Sequence, residues 1–394
     1  MLNNEYAAML QNKDVIFEIF AWAERRRREV GAENVFDFSL GNPSVPAPEA
    51  VRESMQRILS ESDPLSLHSY SPAGGIPQVR QTIAEDLNRR YGTCYEEKHI
   101  FMTCGAAAAL AHAFRAVSNP GDAILTFEPC FSEYEPYVSG AGCRLKTVPA
   151  ETEHFQIDFE MTAELLTSDV AAVLVNSPNN PSGVVYSTQT IRKLAELMSE
   201  KAAEFGHPIY LISDEPYRDI VFTGVDSPYI AGEYDNTIVC YSYSKSLSLP
   251  GERIGYAAVN PQAEGAEDIL AVFPQISRTT GHNGAPALLQ RTVADCCGIT
   301  SDLSVYEKNA GILYDALTDA GYSVVRPGGT FYLFPRSPLP DAKAFCRKAM
   351  EKDLMLVPGN GFGCPEHFRI ACCVPTEKVE RSLPVFREII REFV

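Results

Sequence analysis

The sequence predicts an α/β protein: a three-layer sandwich around a mainly parallel central sheet, plus a smaller α+β domain built from both chain ends. Three observations lead there. Between about residues 99 and 260, short continuous apolar runs alternate with helical stretches, the pattern of parallel strands buried on both faces. After residue 290 the pattern changes to a long helical stretch at 306–320 and shorter strands such as 330–334. No flexible linker, repeat or low-complexity tract divides the chain, so residues 1–44 are expected to join 291–394 in the small domain, with 45–290 forming the large one.

Composition removes several functions. Of 394 residues, 34 are Lys or Arg and 51 Asp or Glu, a net charge of −17. That balance argues against a non-specific nucleic-acid binder, which needs a basic face, and against a polybasic membrane-surface protein. No apolar run approaches the roughly 18 residues a membrane helix needs. The first residues have neither the basic start nor the apolar core of a secretory signal. Eleven cysteines, two pairs of them adjacent (Cys296–Cys297 and Cys372–Cys373), show no metal-ligand spacing and are read as reduced thiols in a cytoplasm. No metal site is expected.

Taken in order, residues 12–30 read as a helix with Ile16, Ile19, Phe20 and Ala23 on one side. The run Arg25–Arg28 lies between Glu24 and Glu29 and reads as a solvated helix face. Residues 31–50, rich in Gly, Pro and Asn, read as a connecting segment. Strands are expected at 99–103, 123–127, 171–175, 209–213 and 237–241, with helices at 106–117 and 189–205.

Ligands in open α/β sheets bind beyond the carboxyl ends of the strands, so the residues just past each apolar run carry the information. After 99–103 comes Cys104-Gly105 and then four alanines, Ala106 to Ala109, a glycine turn opening into a strong helix former. An anion could approach free N–H groups there, although a plain turn would read the same. After 123–127 comes Glu128-Pro129-Cys130-Phe131, an aromatic at a strand end; after 171–175, a polar turn with Asn176, Asn179, Asn180 and two prolines. After 209–213 comes Asp214, a carboxylate that is costly to bury unless paired. After 237–241 comes Ser242-Tyr243-Ser244-Lys245, with Arg253 close behind. A lysine at a buried strand end loses its proton more readily than a surface lysine and can act as a nucleophile. An ion pair for Asp214 and a surface lysine for Lys245 are the bland alternatives. All five features fall on one edge of one predicted sheet, and an amine, a carboxylate, an aromatic face and an anion cradle are what pyridoxal 5′-phosphate requires.

The chain resembles the class I/II aminotransferases, the pyridoxal-phosphate enzymes of the aspartate aminotransferase fold. The resemblance runs over nearly its whole length and keeps motif order: Ser39-Leu40-Gly41-Asn42-Pro43, Tyr70-Ser71-Pro72-Ala73-Gly74-Gly75, Asn180-Pro181-Ser182-Gly183, Asp214-Glu215-Pro216-Tyr217, Ser242-Tyr243-Ser244-Lys245, Arg253-Ile254-Gly255 and Phe368-Arg369-Ile370. It implies that Lys245 holds the cofactor as a Schiff base and then carries a proton at the substrate α-carbon. Asp214 would pair with the ring nitrogen, and Tyr217 and Asn180 with the ring 3′-oxygen. Phe131 would stack on the ring. The backbone of Gly105, Ala106 and Ala107, with Ser242, Ser244 and Arg253, would cradle the phosphate. Tyr70 would reach that phosphate from a neighbouring subunit, which implies a homodimer with shared sites. Arg369 would grip the substrate α-carboxylate with two parallel hydrogen bonds, assisted by the Gly41 backbone.

The implied reaction moves an amino group between an L-amino acid and a 2-oxo acid such as 2-oxoglutarate. Many prokaryotic aspartate-specific members carry a lysine early in the helix after the phosphate glycine; here Ala106–Ala109 replace it. Arg278 falls near where other members place an arginine for a distal carboxylate, and reads equally as a surface or dimer-interface residue. Aspartate is favoured slightly over aromatic or aliphatic donors. β-Elimination (a C–S lyase) and decarboxylation share the same cofactor site and stay open. A serine acyl-enzyme built on Ser242-x-x-Lys245 lacks its partner motifs, and no G-x-G-x-x-G comes after a predicted strand.

Overall fold

A computed structural model describes residues 2–10 and 15–393. Its twelve strands are β1 (Phe36–Asp37), β2 (Ile100–Thr103), β3 (Ala123–Phe127), β4 (Arg144–Val148), β5 (Val170–Asn176), β6 (Tyr210–Asp214), β7 (Thr237–Ser242), β8 (Gly255–Val259), β9 (Tyr332–Leu333), β10 (Leu354–Met355), β11 (Val357–Pro358) and β12 (Phe368–Ala371). Seven of them form one sheet in the order β2-β8-β7-β6-β5-β3-β4. The pairings among β7, β6, β5, β3 and β4 are parallel, whereas β8 runs antiparallel to both β2 and β7. The fold is therefore α/β with a large, mainly parallel central sheet.

The apolar runs are continuous because both faces of this sheet are covered. Along β7, Ile238 and Cys240 pack with Leu110 and Phe114 of the helix Ala106–Val117, while Val239 and Tyr241 face the opposite way, towards Val79, Ile83 and Leu289. Helix signals are equally local: Ser187 caps Thr188–Phe205 by accepting from the Thr190 N–H, and Gly206 ends it with φ 76°.

Five predicted strands and three helices occur within a residue or two of their expected bounds, but β4 and β8 of the central sheet and β10, β11 and β12 outside it are not among the predicted strands. β4 is amphipathic, with Arg144, Lys146 and Thr147 on an edge strand, so it lacks the buried-strand signature.

Other expectations need correction. The connector at 31–50 contains β1 and an unbroken buried run, residues 35–39, with Val35 and Phe38 fully buried. It pairs in parallel with β10, more than 300 residues later in sequence, and that partner supplies the reason it is ordered. In the N-terminal helix Val15–Val30, Ile19 and Ala23 are buried, but Phe20 is exposed; the Ile16 side chain and residues 12–14 lie outside the described residues. Its arginine run is not simply solvated. Arg26 pairs with Asp353 at 2.7 Å and Arg27 with the buried Asp37 at 2.7 Å. Both ends of the chain meet here: Phe36, Phe38 and Val45 share one apolar cluster with Tyr306, Leu313, Phe345, Phe368 and Phe386.

Candidate active site

At the carboxyl edge of the central sheet, β2, β3, β5, β6 and β7 end and β8 begins. The antiparallel course of β8 matters, because Gly255 at its start is paired with both Thr103 and Ser242. Arg253, two residues before that start, is thereby delivered beside the turn after β2. Gly105 sits at that turn with φ 88°, and a Cβ added there would lie 3.1 Å from the Arg253 Nη2. The helix Ala106–Val117 opens directly from Gly105, so its first N–H groups and the guanidinium converge on one anion-sized space. Ser242 and Ser244 close its side, their hydroxyls 2.8 Å apart.

Deeper in, Asp214 is buried at the end of β6. Its Oδ2 accepts a 2.6 Å hydrogen bond from the Tyr134 hydroxyl, and its main-chain carbonyl accepts from Asn176 Nδ2 at 2.9 Å. Its Oδ1 is buried and has no partner. Burial pushes the carboxyl up to about 7, against the opposing effect of the Tyr134 bond. Such an oxygen calls for a protonated partner from the cleft.

Lys245, on the short helix Tyr243–Ser246 after β7, donates to the Gly41 carbonyl at 2.7 Å. Desolvation lowers its amine to about 8, with Arg369 and Arg253 pushing the same way. Arg369 on β12 is buried; Nη1 donates to Asn180 Oδ1 at 3.0 Å and Nη2 to the Ser39 carbonyl at 2.8 Å, while Nε has no partner. Three distant stretches (39–41, 180 and 369) thus meet at one guanidinium.

The cleft enclosed by these groups, about 320 Å³, is lined by Gly41, Ala106, Ala107, Phe131, Asn180, Asp214, Tyr217, Ser242, Ser244, Lys245, Arg253 and Arg369 among others. Gly105 supplies backbone beside it. Two residues expected to act from a second copy lie outside the cleft of their own chain. Tyr70 is fully exposed and Arg278, at the end of the helix Ala266–Thr280, is exposed with Gln275 as its partner at 3.3 Å; neither lines the cleft within this chain. Sequence reading missed Tyr134, Tyr137, Leu110 and Tyr332, and noted Asn176 only as part of the polar turn after 171–175, without a role. Tyr134 comes one helical turn after Phe131, a spacing that could have flagged it; Tyr332 sits in the strand predicted at 330–334 but carries no motif of its own.

The profile of the aminotransferase class I and II family matches residues 33–385. The chain belongs to that family. A crystal structure of an aminotransferase from Eubacterium rectale superposes with a TM-score of 0.97 at 44% identity, over 100% of this chain and 99% of that one. The aspartate/prephenate aminotransferase of Thermus thermophilus is 28% identical over 383 residues, 93% of each chain. The aspartate aminotransferase of Thermotoga maritima is 30% identical, covering 89% of this chain and 90% of its own. This aminotransferase is a pyridoxal-phosphate enzyme, acting on an amino acid and a 2-oxo acid.

Its residues fit that cofactor. The unpartnered Asp214 Oδ1 suits a protonated ring nitrogen, the Gly105–Arg253 space suits a phosphate, and a buried amine with lowered proton affinity suits covalent attachment. Among the described residues of the aminotransferase, no helix is long and apolar enough to cross a membrane.

Proposed function

We propose that the enzyme transfers the amino group of an L-amino acid to a 2-oxo acid such as 2-oxoglutarate, with Lys245 as Schiff-base lysine and Asp214 as the ring-nitrogen partner. The observation that carries this reading is the Asp214 carboxylate: buried, braced on one oxygen by Tyr134 and unpartnered on the other. Bound there, pyridoxal phosphate supplies an electron sink for the substrate α-carbon.

The chain's own residues do the rest. Ala106, Ala107, Ser242, Ser244 and Arg253 hold the phosphate, and Phe131 covers the ring face. Asp214 keeps its proton partner charged by offering a full negative charge in a dry site. Tyr217 and Asn180 hydrogen-bond the ring oxygen. Arg369, held by Asn180 and the Ser39 carbonyl, presents its remaining edge to the substrate carboxylate beside Gly41. Lys245 would supply the attachment amine and, freed from it, would be the base that takes the proton from the substrate α-carbon and delivers it to the cofactor carbon that had carried the lysine link. An amine lowered to about 8 has a substantial neutral fraction near neutral pH, which a surface lysine lacks.

The assembly is a homodimer in this reading, with Tyr70 reaching its partner's phosphate; the exposed Leu59, Leu65 and Tyr70 along one stretch support it. Residues 45–290 form the cofactor-binding body, and 1–44 with 291–394 a smaller one that closes over substrate; the β1–β10 pairing and the shared apolar cluster support that division. A cytoplasmic setting suits eleven unbridged cysteines. Aspartate is the favoured donor because relatives carry that activity in their names. In that case Arg278 of a second copy supplies the distal cation, since Lys245, Arg253 and Arg369 are already engaged.

Half-reactions with a panel of amino acids, tracked by the visible spectrum, test this. Conversion of the cofactor absorption by aspartate supports it. Pyruvate and ammonia appearing instead would replace it with β-elimination.

A further inference from the structure

Tyr332 lies outside the motifs named in the sequence, yet it touches three of the residues those motifs contain. It lies on β9 opposite Ala371 of β12, so its ring shares a face with Arg369, two residues along the neighbouring strand. The Arg369 guanidinium carbon stands 4.7 Å from the ring centroid. The Tyr332 hydroxyl is 3.3 Å from that of Tyr217. It also presses against Gly41, where a Cβ would lie 1.8 Å from it, so no other residue fits at 41 without moving the tyrosine. The side chain is 3% exposed and lines the cleft.

These contacts divide into two jobs. Both terminal nitrogens of Arg369 are committed to Asn180 and Ser39, which fixes its position along the plane but not its tilt; the aromatic faces of Tyr332 and of Phe362, 4.9 Å from the guanidinium carbon, fix the tilt together. Among the described residues the hydroxyl has one hydrogen-bond partner, Tyr217, and either oxygen can be the donor; with the Tyr217 proton turned to the cofactor oxygen, the donor is Tyr332. A phenol that receives a proton in a hydrogen bond becomes a better donor through its own.

We propose that Tyr332 is a positioning residue of the amino-transfer site: its ring seats Arg369 for the substrate carboxylate, and its hydroxyl donates to Tyr217 so that the Tyr217 proton faces the cofactor oxygen. The inference rests on the roles given to Tyr217 and Arg369 under the proposed function. A less polarised Tyr217 neutralises less charge on the oxygen it faces, and the nitrogen beside that oxygen then keeps its proton to higher pH.

The experiment is a pH titration of the visible absorption of the loaded enzyme, together with KM for the amino donor, in Tyr332→Phe, Tyr332→Leu, Tyr217→Phe and the Tyr332→Phe/Tyr217→Phe double variant. Tyr332→Phe keeps the ring and is expected to raise the spectral midpoint by about half a pH unit or more. Its KM should stay within about threefold of wild type, whereas Tyr332→Leu should raise KM roughly tenfold as well. In the Tyr217→Phe background, Tyr332→Phe should move the midpoint no further. A Tyr332→Phe enzyme with an unmoved midpoint, or one whose shift is the same without the Tyr217 hydroxyl, overturns the proposal. A Tyr217→Phe enzyme with an unmoved midpoint overturns instead the role assigned to Tyr217. The Phe variant preserves the packing, so the test survives even if Tyr332→Leu fails to fold.

Discussion

Lys245 Nζ donates to the Gly41 carbonyl at 2.7 Å, joining the turn after β7 to the segment after β1, 204 positions earlier in the chain. The bond ties the Lys245 amine to the strap that also accepts from Arg369 at Ser39. The lysine is therefore held in place by the same segment that flanks Arg369, the arginine proposed to bind the substrate carboxylate.

With its amine lowered to about 8 by burial, Lys245 should govern how fast the stripped protein takes up pyridoxal phosphate. Only the neutral amine attacks, so the loading rate should rise with pH and level off above a midpoint near 8. Stopped-flow absorbance measures it. Lys245→Ala should bind the cofactor without a borohydride-reducible bond and lose turnover; retained turnover would remove the lysine from the mechanism.

Asp214 makes the opposite kind of statement about stability. In the stripped protein its carboxyl is raised from 3.8 to about 7, so the folded state holds a proton that the unfolded state releases between those values. Stability from this group is full below about pH 4 and is lost as pH rises towards 7. Asp214→Asn should thus stabilise the stripped protein at pH 7.5 by on the order of 4 kcal/mol, an advantage that fades towards pH 4. Thermal melts of both proteins from pH 4 to 8 decide it. The loaded variant should nonetheless be far less active, because the ring nitrogen has lost its charged partner.

Tyr134→Phe removes the hydroxyl that braces Asp214 Oδ2 at 2.6 Å. A hydrogen bond to a buried charged group is worth ~2 kcal/mol, so kcat/KM should fall by about thirtyfold. Phosphate anchoring, more than one strand away, should persist. Equal activity in the two proteins would show that Asn176, whose Nδ2 is also 3.5 Å from Asp214 Oδ2, suffices to hold the carboxylate.

Arg278 is exposed within one chain. If it reads a distal carboxylate from the partner copy, Arg278→Ala should cost ~2–3 kcal/mol in kcat/KM for aspartate and almost nothing for alanine. Steady-state kinetics with both donors measures the ratio, and an unchanged preference rules the arginine out.

The candidate site was legible wherever it depended on the residues immediately past a buried strand. Asp214, Lys245 and Asn180 announce themselves because a polar group after an apolar run has few bland explanations. Arg253 could be noticed from its nearness to Lys245, yet its arrival at the phosphate space depends on β8 running antiparallel, which no local pattern reports. Tyr134, Asn176 and Tyr332 act on residues 38 to 80 positions away or across a sheet, and tyrosines in a core are too ordinary to stand out.

The sequence by itself determined the alternation of buried strands and helices and the sheet edge on which Asp214 and Lys245 sit. These are consequences of short-range periodicity and of the cost of burying polar groups; the assignment of a cofactor cradle came from the resemblance to a family. Only the tertiary structure decided which groups are left unpartnered and which are braced: Asp214 with one free oxygen, Arg369 with a free Nε, Gly41 pinned between Lys245 and Tyr332. It also turned residues 35–39 from an apparent connector into core, through a parallel pairing with Leu354–Met355. Such outcomes depend on contacts between segments hundreds of residues apart, and burial there is set by the partner strand rather than by the segment's own composition.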